Sequence, residues 1–158
     1  MELAKPQESV VVVPTTMLSA EAPSVQSHLM MLQGVIGRLA SNSASCKTWC
    51  TSLTSALAVV AAQADRPDLL FVAALPIFIF GALDAYYLGL ERRFRGCYER
   101  FVTKLQAGEA TIDDAFVIAP RLRIRGAFLE ARDALGSFSV WPVYLGMVVI
   151  LWILFRRL

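Results

Sequence analysis

Ser41, Ser45, Thr48, Ser52 and Ser55 recur at spacings of 4, 3, 4 and 3, which puts five hydroxyls on one face of a helix. Thr51 and Thr54 flank the stripe, while Trp49, Leu53, Leu57 and Val60 point elsewhere. In lipid a hydroxyl bonds back to its own helix, so single ones are tolerated. A continuous face of them has two readings: helix-to-helix packing, or the lining of a hydrated path.

Asp84 is the one ionisable residue in the apolar run Leu69 to Leu90. A mid-membrane carboxylate costs about 2.5–3.5 kcal/mol on insertion scales, so it calls for a partner. Lys47 lies at a similar depth on the preceding antiparallel segment, and Arg38 fits worse. The pair reads either as a structural ion pair or as an ion- or proton-handling group. Arg121, Arg123 and Arg125 alternate; in an extended segment they share one face that grips phosphate, from a lipid headgroup or from an anionic nucleotide.

Other reactive residues point to less. His28 has no carboxylate or cysteine companion and reads as a polar-face residue. Cys46, Cys50 and Cys97 fit neither a disulfide framework nor a zinc set and read as small packing residues. No phosphate loop, catalytic carboxylate pair or nucleophile with a base is visible. Neither enzyme activity nor a cofactor, a metal or a nucleic-acid partner is expected.

The elements that must position these residues follow from composition and punctuation. The 158 residues are 56% hydrophobic and 18% charged, with a mean hydropathy of +0.55. These values lie outside the usual range of a soluble domain. Residues 1–23 mix polar residues with Pro6, Pro14 and Pro23 and read as a flexible arm, without a cleavable signal peptide. Pro23-Ser24 reads as a helix start with Ser24 as N-cap. Val25, Leu29, Leu32, Ile36 and Leu39 then form a coiled-coil-like seam along an amphipathic helix over 24–47. A first span is expected at 48–64, ended by the turn Asp65-Arg66-Pro67-Asp68. A second is expected at 69–90, with Pro76 and Gly81 as bends.

Phe94, Tyr98, Phe101 and Leu105 continue the second helix to Gly108. The basic region 91–137 has room for short helices at 111–118 and near 126–135. A third apolar segment, 138–155, ends at Arg156-Arg157. The expected fold is therefore an all-α membrane protein: a hairpin of two long transmembrane helices with cytoplasmic extensions, plus a C-terminal transmembrane helix.

An N-inside, three-span arrangement keeps twelve of the fifteen cations in the cytoplasm, beside anionic headgroups. It leaves Arg66, Arg156 and Arg157 outside. A re-entrant or interface-lying third segment removes the conflict with the terminal arginine pair. Apolar seams on both extensions lead us to expect a homo-oligomer.

The string Ile36-Gly37-Arg38-Leu39-Ala40-Ser41-Asn42-Ser43, then Lys47-Thr48-Trp49, and Leu83-Asp84-Ala85-Tyr86-Tyr87-Leu88-Gly89-Leu90-Glu91-Arg92 resemble small bacterial membrane proteins similar to the SLATT class. Those are two-span effectors of nucleotide-signalling defence systems. The likeness covers Leu32 to Phe101, under half of the chain, and the third apolar segment departs from the two-span plan. It implies an oligomeric inner-membrane effector of antiviral defence that forms a pore or perturbs the membrane, triggered by a signalling nucleotide or a partner protein. The alternative from another class is a non-conducting scaffold or accessory subunit that places a partner at the membrane.

Overall fold

A computed structural model describes residues 17–115 and 141–157. Residues 1–16, Arg121, Arg123 and Arg125, the helix expected near 126–135 and residues 138–140 lie outside the described residues. The described residues form three helices: α1 (Pro23–Gln63), α2 (Leu69–Gln106) and α3 (Trp141–Arg157). Among the described residues there is no strand, only an isolated antiparallel bridge between Met17 and Thr111. The last residues of the expected free arm are thus tied down, with the Leu18 amide donating to the Ala110 carbonyl at 2.9 Å.

α1 starts two residues earlier than the cap chemistry of Ser24 suggests. Ala22 is the N-cap, makes no side-chain bond, and Pro23 opens the helix, where its missing N–H loses nothing. The helix then runs unbroken through the boundary expected at residues 47 and 48. It ends in a Schellman motif: the Arg66 amide bonds the Ala61 carbonyl at 3.0 Å and the Asp65 amide bonds Ala62 at 3.4 Å. Asp65 supplies the left-handed residue, with φ of 52°. α2 ends the same way, with Glu109 bonded to Lys104 at 2.9 Å and Gly108 at φ of 71°. Pro76 lies inside α2, which is continuous across it. Thr111 to Ala115, the first part of the helix expected at 111–118, is a bridge followed by turns.

α1 and α2 form an antiparallel hairpin over nearly their whole length. Moving 19 residues along α1 from His28 to Lys47 moves the contact 17 residues back along α2, from Phe101 to Asp84. Residues buried on α1 are Val25, His28, Leu32, Leu39, Ser43, Cys46, Cys50, Thr54 and Ala61. Their near-heptad spacing is what a straight two-helix seam needs. The facing stretch of α2 repeats small residues every four positions, Ala73, Gly81, Ala85 and Gly89, with Ile77 among them. Small side chains let the backbones approach closely. At ~1.5 Å per residue α1 is ~62 Å long, about twice the ~30 Å of a bilayer's hydrocarbon core.

α3 runs antiparallel to α2. Tyr144 packs over Gly81, where an added Cβ would meet its ring at 3.7 Å, and Phe155 meets Phe71 edge-on at 5.6 Å. Cys50, Ala61, Leu70, Ala73, Ile77, Tyr144 and Leu151 form the apolar core where the three helices meet. Around it the fold is apolar on the outside: Phe71 and Phe78 are each 71% exposed and Ile150 65%. Large exposed apolar side chains extend from Trp49 to Val60, from Phe71 to Tyr86 and from Trp141 to Phe155. Contiguous patches on this scale mark contact with lipid or with another protein. The opposite half of the hairpin exposes Gln33, Arg38, Asn42, Glu99, Arg100 and Lys104.

α2 is long and apolar enough to cross a membrane, and only 39% of its apolar window is buried inside the fold. It is the one described helix that meets this standard. Hydroxyls dilute the apolar half of α1, and α3 has 17 residues.

Candidate functional site

Asp84 sits where the polar half of the hairpin meets the apolar band, level with Trp49 on α1 and Tyr86 on α2. Its side chain is fully buried, and Oδ2 lies 2.7 Å from the Nζ of Lys47. Nζ also donates to Oδ1 at 2.9 Å and to the Ser43 hydroxyl oxygen at 3.1 Å. Ser43 in turn donates to Asp84 Oδ1. Oδ2 makes no well-directed hydrogen bond; the ammonium charge beside it does the compensating.

The local sequence builds this cluster simply. Ser43 and Lys47 are one turn apart on the α1 face that carries Cys46 and Cys50, so both point at α2. Asp84 is followed by Ala85 and preceded one turn earlier by Gly81, so nothing bulky holds α1 away. α3 closes the remaining side: the Tyr144 hydroxyl donates to the Phe80 carbonyl at 3.3 Å and lies within electrostatic reach of the Asp84 carboxylate. Lys47 keeps 22% of its side chain exposed, so the pair is open to water from the lysine side alone.

The hydroxyl stripe lies elsewhere. Ser41, Ser45, Thr48, Ser52 and Ser55 are all exposed. At 100° per residue they occupy the face of α1 opposite the one that packs on α2. Thr48 donates back to the Ala44 carbonyl at 3.2 Å and Thr51 to Lys47 at 2.8 Å, as hydroxyls in lipid do. Neither α2 nor α3 covers this face.

His28 requires a correction. It is not on a polar face but 1% exposed, edge-on to Phe101 with ring centroids 4.5 Å apart. Burial lowers its pKa from the ordinary 6.5. The seam is rotated accordingly: Val25, Leu32 and Leu39 are buried while Leu29 and Ile36 are half-buried. Sequence reasoning also misses Ser43, Tyr144 and Glu91. Glu91 is 7% exposed and held by Arg95 at 2.7 Å. Ser43 had a usable signal, its i, i+4 relation to Lys47; Tyr144, 60 residues from Asp84, had none.

Chemically, the cluster neutralises one buried charge with another and ties α1 to α2 at one register. Among the described residues no three His, Cys, Asp or Glu side chains converge on a metal site. No protein-family model, curated protein or solved structure matches this chain.

Proposed function

We propose that the chain is an oligomeric membrane effector of the bacterial inner membrane, in which copies associate through α1 and enclose a hydrated path. The observation that carries this reading is the exposed hydroxyl face of α1, which runs from the polar half into the apolar band, where Thr48, Ser52 and Ser55 lie. Lipid solvates aligned hydroxyls poorly, so that face calls for a second copy or for water. The apolar exteriors of α2 and α3 suit lipid, which leaves α1 to face inward.

In this arrangement the apolar halves of all three helices cross the bilayer. The N-terminus and the polar half of the hairpin are cytoplasmic, following the positive-inside bias. The polar half forms a stalk about 30 Å long, suited to receive a signal or partner, in keeping with the likeness to SLATT effectors. Conductance across bilayers holding the purified protein tests the proposal. Ser52→Val should dry the path and lower conductance while oligomers still form. A wild-type protein that assembles and never conducts is instead the scaffold of the alternative reading.

A further inference from the structure

The contact between α1 and α3 has a chemistry that neither the ion pair nor the hydroxyl face uses. Cys50 is fully buried and Cys46 6% exposed; all three cysteines are free thiols. The Cys50 thiol donates to the Met147 Sδ of α3 at 3.6 Å, and the Thr54 hydroxyl lies 4.0 Å from Cys50 Sγ. Cys46 is one turn earlier on the same buried face, within electrostatic reach of Cys50.

We propose that Cys50 and Met147, with Cys46 as a third sulfur, form a binding site for a soft monovalent metal ion, Cu(I). The two sulfurs are already placed for it. A metal about 2.3 Å from each would subtend about 100° across the 3.6 Å gap, without moving either helix. The ion enters where the thiol proton now points: Cys50–SH and Cu⁺ give Cys50–S–Cu and a proton released to solvent, with no change of oxidation state. One thiolate, one thioether and one Cu⁺ make a neutral unit, which an apolar core accepts far more readily than a charged one. Thiolate and thioether donors select Cu(I). A divalent ion such as zinc would need further thiolate, imidazole or carboxylate donors, and among the described residues no set of three such groups gathers there. Because the donors come from α1 and α3, the metal would pin α3 to the hairpin.

The test is anaerobic titration of the purified full-length protein in detergent, kept reduced without added thiols. Cu(I) is delivered from a chromogenic chelator, and Ag(I) serves as a redox-silent second probe. One Cu(I) per chain should bind. Loss of an outer-shell partner alone weakens metal sites by about 10–100-fold, and loss of a donor weakens them at least as much. Cys50→Ser and Met147→Leu should each reach that loss at unchanged helix content, whereas Cys97→Ser should bind as wild type. Absence of binding overturns the site. So does Met147→Leu binding as tightly as wild type, which would reduce the site to a thiol pair that captures metal without α3.

Discussion

Lys47 and Asp84 are not equivalent partners, and the difference can be measured. In Lys47→Ala the carboxylate remains fully buried with the Ser43 hydroxyl as its remaining donor. Stranding one member of a buried pair costs about 3–5 kcal/mol. In Asp84→Asn the amide oxygen still accepts from Ser43, and the Lys47 ammonium, at a side chain 22% exposed, turns toward water. That substitution should cost about 1–3 kcal/mol, the usual range for an imperfectly satisfied polar group. The double variant should recover part of the Lys47→Ala loss, with a coupling of about 2 kcal/mol, within the range for residues in direct contact. Denaturant unfolding in detergent followed by circular dichroism reads all four corners. Equal costs for the two single variants would contradict the burial asymmetry. Additivity within about 0.5 kcal/mol would contradict the pair itself.

Two further outcomes follow from the helix contacts. Gly81→Ala adds a methyl at ordinary contact distance from the Tyr144 ring and should preserve the docking of α3. Gly81→Leu should displace Tyr144 and abolish a disulfide engineered between positions 71 and 155, whose rings now touch; an undiminished crosslink would refute that contact. His28 makes the stalk sensitive to acid. Because burial lowers its pKa below 6.5, the unfolded chain holds the proton more tightly, so stability is full above 6.5 and falls as pH drops toward the folded value. Thermal melts between about pH 7.5 and 5 should show this loss in wild type and a smaller one in His28→Leu. Identical slopes would exclude His28 as the source.

Much of the hairpin is legible in the chain because its punctuation is local. Pro23, the Asp65-Arg66-Pro67-Asp68 turn and Gly108 each act within one helical turn, and each sits at an element end. The cost of an unpaired Asp84 likewise points to Lys47 from sequence alone. Other features depend on the phase of a helix relative to its neighbours. The apolar seam through Leu29 and Ile36 is rotated in the packed hairpin to admit His28, because the facing side chain is Phe101, about 70 residues away. The same rotation buries Ser43 and Thr54 and leaves the more regular stripe, Ser41 to Ser55, outside. Met147 and Tyr144 meet α1 and α2 through tertiary packing alone, for which no sequence spacing gives a sign. Hydroxyls that mark α1 as unusual also dilute its apolar half, and α2 is the one described helix long and apolar enough to cross a membrane.

The most direct test of the central claim is the accessibility of position 52 on the assembled protein. Ser52→Cys, in a background with Cys46, Cys50 and Cys97 replaced by alanine, is exposed to a charged, water-borne thiol reagent in the membrane. If the hydroxyl face of α1 lines a hydrated path between copies, the thiol should be labelled, and labelling should block conductance. Protection of that thiol in both resting and stimulated cells, together with loss of oligomers in Ser52→Val, would contradict the account: the face would then be a dry packing surface.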